Sequence, residues 1–293
     1  MGRTDVFGPG SNQGLATVTG SDGATRTVYT GSLTISAALR AAGWVHVGDP
    51  DSWHGWLVEP FQGPDGATAK MFRVTSPQGR ITDAVHPLSP GEAANNSFAA
   101  VTPDGQWTVS GEWGEEDRLL VFPTPVVNTA TRPGSPLPLS GTIALDRPVR
   151  DVQGCAFVSS TRLVCASSDP ATDLWPVPDP LLQIDLAGPL SATSAGGPAR
   201  VTLLGPIPLI SPCPGTYEPE GVDMDRVTGI LSLEVAPPGV CRLVTQVYRY
   251  RAPAGAGAAA GAASRAGAGS GAATATPTGT ATGAPTGAAT RGR

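Results

Sequence analysis

The chain is short of charge, and above all of lysine. Charged residues make up 15% of its 293 positions, and Lys70 is the sole lysine among 19 basic residues. The remaining arginines are scattered, so there is no basic footprint of the kind that neutralises phosphates, and nucleic acid is excluded as a partner. Long apolar runs are missing as well. Nothing approaches the ~20 apolar residues of a membrane-spanning helix, and the opening MGRTDVFGPG has no apolar stretch of the kind a signal peptide needs. Helical periodicity is nearly absent. Only SLTISAALRAAG (32–43) has helical spacing, a Ser start and a Gly stop, and it reads as one short helix.

What the chain has in quantity is turn chemistry, with 38 Gly and 30 Pro. That composition suits many short strands. The final stretch, 252–293, is almost wholly Ala, Gly, Thr, Ser and Pro. Nothing there is larger and apolar than Ala, so it cannot bury enough surface to offset its ordering entropy. It is expected to be a disordered tail, either a flexible surface spacer or a dispensable extension. Residues 1–251 suffice for one all-β domain with a substantial core.

Four cysteines allow three pairings. Cys155 and Cys165 flank a turn at SSTR, and Cys213 and Cys241 flank a second at DRVTG. The expected disulfides are therefore 155–165 and 213–241, against four buried thiols as the alternative. Disulfides imply an oxidising compartment, hence a secreted or surface protein, although no leader precedes this chain. A start displaced downstream or a non-standard export route would reconcile the two.

An internal repeat organises the chain. Gln13-Gly14-Leu15, His54-Gly55-Trp56, Asn96-Ser97-Phe98, Gln153-Gly154-Cys155 and Glu220-Gly221-Val222 each set a polar side chain, a tiny residue and an apolar one in sequence. Each then runs into a turn (TGSDGAT, QGPDGAT, TPDGQ, SSTR, DRVTG) and a second strand. Further strands follow at RLLVFPTP, LLQIDL and TQVYRYR. Strand–turn–strand units starting at 13, 54, 96, 153 and 220 point to a β-propeller of about five to six blades, with a β-sandwich as the rival. In a propeller the tiny residues let inner strands crowd together. The polar residues would then line a water-filled channel: Gln13, His54, Asn96 (with Asn95), Gln153 and Glu220.

The PDG turn of VTPDGQWTVSG resembles turns of TolB-type propeller blades. GWVHVGDPDSWHGW, NNSFAAVTPDGQWTVSGEWG, RLLVFPTP and QGCAFVSSTRLVC together resemble a group of secreted actinobacterial proteins of unknown function. That resemblance spans about residues 10 to 251 and implies export and one globular domain, with no assigned activity. The acidic and amide residues around the channel are similar to those of calcium-dependent lactonases of the gluconolactonase and paraoxonase type. By that likeness Glu220, Asn96 and Asp223 would hold Ca²⁺, and Glu220, Asn96, Gln153 and His54 would surround the ion of a hydrolase.

Other clusters have plainer readings. His46, Asp49, Asp51 and His54 lie within nine residues and could bind a transition metal, yet Asp-Pro-Asp is also an ordinary turn. Trp53 and Trp56 are expected to pack between blades. EWGEEDR (112–118) reads as a charged loop tip. No nucleophile elbow or phosphate loop appears. The sequence favours a monomeric, non-catalytic propeller that binds a small molecule, a carbohydrate or a protein at the channel face. The alternatives are the calcium-dependent hydrolase and a scaffold working through its rim.

Overall fold

A computed structural model of the chain describes residues 1–8, 10, 12–191, 198–207 and 209–251. The expected tail and most of the SATSAGGPAR insertion lie outside the described residues. The chain begins with β1 (Gly2–Phe7), the hairpin β2 (Gly14–Thr19) and β3 (Thr25–Thr30), a 3-10 turn at Ser32–Thr34 and the short helix α1 (Ala37–Ala41). The Ser36 hydroxyl caps α1 by accepting the N–H of Leu39.

Four sheets follow in series. The first holds β4 (His46–Val47) and β5 (Asp51–Trp53), both paired to β6 (Trp56–Gln62), then β7 (Ala69–Thr75) and β8 (Ile81–Pro87). The second comprises β9 (Ala100–Val101), β10 (Trp107–Ser110), β11 (Glu115–Pro123) and β12 (Gly141–Arg150). The third is β13 (Val152–Ser159), β14 (Arg162–Ser167), β15 (Pro180–Asp185) and β16 (Arg200–Pro206). The fourth contains β17 (Glu218–Asp225), β18 (Ile230–Ala236) and β19 (Val244–Arg251), and its outer edge is completed by β1 from the start of the chain. The protein is nearly all-β, with a four-blade propeller arrangement.

The blade count corrects the expectation of five to six. Five units begin, but the first never completes a blade: after β3 the chain enters the 3-10 turn and α1 instead of further strands. Its hairpin stands between the fourth blade and the first. The apolar clusters lie between neighbouring blades. Phe98, Leu119, Phe157 and Leu182 join the second and third, and Ala156, Val222, Leu233 and Tyr248 join the third and fourth. Phe72, Val74, Val101 and Phe122 fill the seam between the first and second. Strands buried on both faces need apolar side chains throughout, which is why FAAV and GCAFV show no clean alternation.

Trp53 pins the first seam. Its indole N–H donates to the Pro103 carbonyl at 3.1 Å, and its ring lies where a Cβ on Gly105 would come within 2.4 Å. Gly105 has φ 75 in the PDG turn, so both the turn and the neighbouring ring require glycine. The two disulfides are Cys155–Cys165, across β13 and β14, and Cys213–Cys241, which brackets the β17–β18 hairpin.

A buried polar knot also ties the first blade to the chain that enters the second. The lone lysine, Lys70, is fully buried with its Nζ 2.9 Å from Oε1 of Glu92, whose other oxygen is 2.9 Å from Nε2 of His86. Burial alone would raise the Glu92 carboxyl, but hydrogen bonds from His86, the Ser89 N–H and Lys70 outweigh it and hold the group at about 2. Glu92→Ala strands a buried ammonium, so a loss on the order of 3–5 kcal/mol is expected in urea titration. The Lys70→Met, Glu92→Leu double variant should recover most of it; no recovery would mean that packing matters more than charge here. EWGEEDR is a loop tip only over its first three residues, between β10 and β11. Glu115 begins β11, Glu112 pairs with Arg118 at 3.0 Å, and Glu116 points inward to accept the N–H of Glu112 at 2.8 Å.

Candidate functional site at the mouth of the axis

The inner strands meet on one side chain. Asp49 is fully buried, and its Oδ1 accepts the N–H of Leu15 and its Oδ2 the N–H of Val222, each at 3.0 Å. Its backbone bonds the second blade, accepting from Ala99 at 2.8 Å and donating to Ser97 at 2.9 Å. A Cβ on Gly154 would lie 2.5 Å from Oδ2, and one on Gly221 would lie 2.5 Å from Oδ1. One residue of the first blade therefore bridges the hairpin and the fourth blade through its carboxylate and the second blade through its backbone, and the third closes on it through Gly154. The axis is filled by Asp49, where the sequence suggested a water-filled channel. The Gly-Asp-Pro run placed it: Pro50 forces extended backbone on Asp49, which leaves its own sheet to pair with the next blade.

Burial pushes the Asp49 carboxyl well above the usual carboxylate range, opposed by its two backbone hydrogen bonds and reinforced by Glu234 and Asp223. Glu220 and Glu234, both fully buried, are raised in the same direction by the same cause.

Above Asp49 a relay runs to the surface. The Nε2 of His46 lies 2.6 Å from Oε1 of Gln13, and the amide nitrogen of Gln13 donates to Oε1 of Glu220 at 3.0 Å. An amide oxygen only accepts, so the His46 proton sits on Nε2. Burial lowers the His46 pKa and keeps the ring neutral at physiological pH. Oε2 of Glu220 has no partner among the described residues. The cleft over this relay measures about 550 Å³, and Gln13, His46, Gln62, Asn95, Trp113 and Gln153 line it. Trp113 is 48% exposed, and neither its indole N–H nor the amide of Gln153 has a protein partner among the described residues. Glu218 also borders the cleft, neutralised by Arg242.

Of the five expected channel residues, Gln13, Gln153 and Glu220 stand at this end of the axis. His54 does not. It occupies a two-residue turn with Gly55, at φ 47 and 82, joining β5 to β6 at the opposite end. Such an X-Gly pair is a hairpin signal, and the structure places the start of that unit's inner strand before it, at His46. His46 stands in its place. Asn96 is buried as a staple between blades: its amide donates to the carbonyls of Phe61 and Met71, and its oxygen accepts the Ser110 hydroxyl at 2.7 Å. Its neighbour Asn95 reaches the mouth instead.

The expected calcium ligands are engaged separately. Asn96 has no free oxygen lone pair aimed outward, Asp223 accepts the N–H and hydroxyl of Thr17 at 3.1 and 2.6 Å, and Glu220 is bound by Gln13. No three His, Cys, Asp or Glu side chains among the described residues are grouped to hold a metal ion. His46, Asp49, Asp51 and His54 are likewise spread along the inner strand of the first blade. Asp51 accepts the Val101 N–H at 2.7 Å, and Arg226 crosses beneath the axis to the carbonyls of Ser52 and Val101, both at 2.6 Å. That arginine ties the inner strands together at the far end, where a separate cleft of about 620 Å³ opens beside His54. Sequence reasoning singled out His46 only as a possible metal ligand and missed Gln62 and Trp113; the one signal was Trp113 in a Glu-Trp-Gly step just after a strand, where a bulky ring is left on the surface.

Fold and site together define a β-propeller with a polar mouth over a plugged axis. No family model matches the sequence, and no curated protein matches it. Among solved structures it is similar to the glutaminyl cyclase of Myxococcus xanthus, with 10% identity and a TM-score of 0.43, over 86% of this chain and 96% of that one. It is also similar to the native arabinanase of Bacillus subtilis, with 13% identity and a TM-score of 0.41, over 84% of this chain and 88% of that one. These likenesses concern the arrangement of the chain alone.

Proposed function

We propose that this propeller is an exported binding protein that takes a neutral, hydroxyl-rich ligand of the carbohydrate class at the mouth of its axis. The observation that carries the reading is the composition of the cleft: side-chain amides of Gln13, Gln62, Asn95 and Gln153, a neutral imidazole, and the half-exposed ring of Trp113. Amides offer a donor and an acceptor to each vicinal hydroxyl pair, and an indole face covers the apolar C–H surface of a sugar ring. The Glu218–Arg242 pair at the rim is self-neutralised and the other charged group lining the cleft, Asp65, is a carboxylate, so nothing there favours an anionic ligand. Export is supported by the two disulfides, which persist in oxidising compartments.

Titration calorimetry against a panel of neutral mono- and oligosaccharides tests the reading. Saturable binding is expected, weakened at least about tenfold by Trp113→Ala or Gln153→Ala with unchanged melting temperature. Binding that survives both substitutions, or no binding across the panel, contradicts it. Chelator treatment is expected to change neither affinity nor melting temperature, because the oxygens of Asn96 and Asp223 are already spent on protein donors.

A further inference from the structure

The mouth does not end at His46 and Gln13. Both residues also line a second cleft, of about 620 Å³, which runs outward between the turn before α1 and the 3-10 turn Gly239–Leu243. Here the lining changes character. Ile35, Val45, Val47, Val240 and Leu243 join the amides of Asn12 and Gln13, and Val240 and Leu243 are 81% and 51% exposed. Leaving aliphatic side chains of that size in water is unfavourable unless something covers them.

The groove is built, not incidental. Its inner wall is rigid, since Ile35 and Val47 pack with Phe61 and Met71 in one cluster. Its outer wall is fixed by the Cys213–Cys241 disulfide and by the Gly8 N–H donating to the Leu243 carbonyl at 3.3 Å. Among the described residues lining it, the one cation, Arg242, is already paired with Glu218. A carboxylate or phosphate headgroup would therefore find no free counter-charge, which excludes fatty acids and anionic lipids.

We propose that the ligand is a neutral amphiphile, a glycoside whose sugar sits over Gln13, Gln153 and Trp113 and whose aliphatic chain lies in the groove between Val45 and Val240. This rests on the carbohydrate reading of the mouth and extends it to the ligand's apolar half. Two clefts of opposite polarity that share two residues suit one molecule with two ends.

The test uses the full chain and n-alkyl glycosides of the same sugar panel, from methyl to octyl, below their micelle concentrations. Affinity should rise by about two- to fourfold for each methylene added. Val240→Asp and Leu243→Asp should flatten that dependence while leaving methyl glycoside affinity unchanged. The Cys213→Ser, Cys241→Ser double variant should reduce the slope by loosening the outer wall. Trp113→Ala should weaken every member of the series. A flat series whose members still depend on Trp113 overturns the amphiphile and keeps the sugar site. A rising series that Val240→Asp does not flatten also overturns it, since the chain would then bind elsewhere. Sedimentation showing a dimer dispersed by Val240→Asp assigns the groove to a second copy instead. If neither methyl nor octyl glycosides bind, the mouth reading falls together with this one.

Discussion

Gly154→Ala and Gly221→Ala are each expected to leave the chain without a stable native state. The added Cβ of Gly154 would lie 2.6 Å from the Glu220 carbonyl oxygen and 2.7 Å from the Val222 nitrogen, besides the Asp49 carboxylate. At Gly221 it would lie 2.7 Å from the Leu15 nitrogen. Ordinary overpacking costs about 1–3 kcal/mol because side chains can turn aside. These neighbours are backbone atoms of the fourth blade and of the hairpin and cannot. The loss should exceed about 4 kcal/mol, a range reserved for a named structural failure. Gly188→Ala is the control: nothing lies within 4 Å of its added carbon, and a change within about 0.5 kcal/mol is expected. Denaturant melts of the three variants decide the matter, and near-native stability of Gly154→Ala would mean that the inner strands do not crowd as described.

Stability should rise as the solution is acidified from pH 8 to about pH 5. Burial pushes Glu116 up to about 8 and Asp223 up to about 6, and raises Asp49, Glu220 and Glu234 well above the usual carboxylate range. Unfolded, all five titrate near 4. Between these limits the folded chain holds protons that the unfolded chain has released, so stability falls as pH rises. Glu116 alone contributes up to about 1.4 kcal/mol per pH unit between pH 5 and 8. His46 works the other way below about pH 6.5, since its folded pKa is lowered, and so does the buried Lys70 on the alkaline side, but the raised carboxyls outnumber them. Below about pH 4.5 the carboxyl advantage stops growing. Glu92, held at about 2, then loses its contribution as it protonates. The melting temperature should therefore peak near pH 5, and Glu116→Gln should flatten its fall toward pH 8. A melting temperature that climbs from pH 5 to pH 8 contradicts this.

Much of the fold was written in local chemistry. The Gly-rich turns, the apolar runs between them and both cysteine pairs could be read directly, because hairpins are short-range features. The unfinished first unit could not, since whether a hairpin acquires two more strands depends on what the following residues pack against. Nor could the hub. Asp49 stood among four metal-like residues, and its role rests on N–H groups of Leu15 and Val222, the latter 173 residues away along the chain. His54 shows how a local signal misleads: His-Gly is a polar-then-tiny pair both at an inner-strand start and in a two-residue turn. Half of the mouth was legible, in Gln13, Asn95, Gln153 and Glu220. The rest arrives from His46 on strand β4, from Gln62 on strand β6 and from the Trp113 turn, which only the closed ring brings near.

The most direct measurement is amide hydrogen exchange at Leu15 and Val222. If the Asp49 carboxylate holds both N–H groups at the centre of a closed ring, they exchange only by global unfolding. In Asp49→Ala both should lose protection together. Exchange within minutes at either amide in the native chain, or loss of one without the other, would contradict the ring on which the mouth is built.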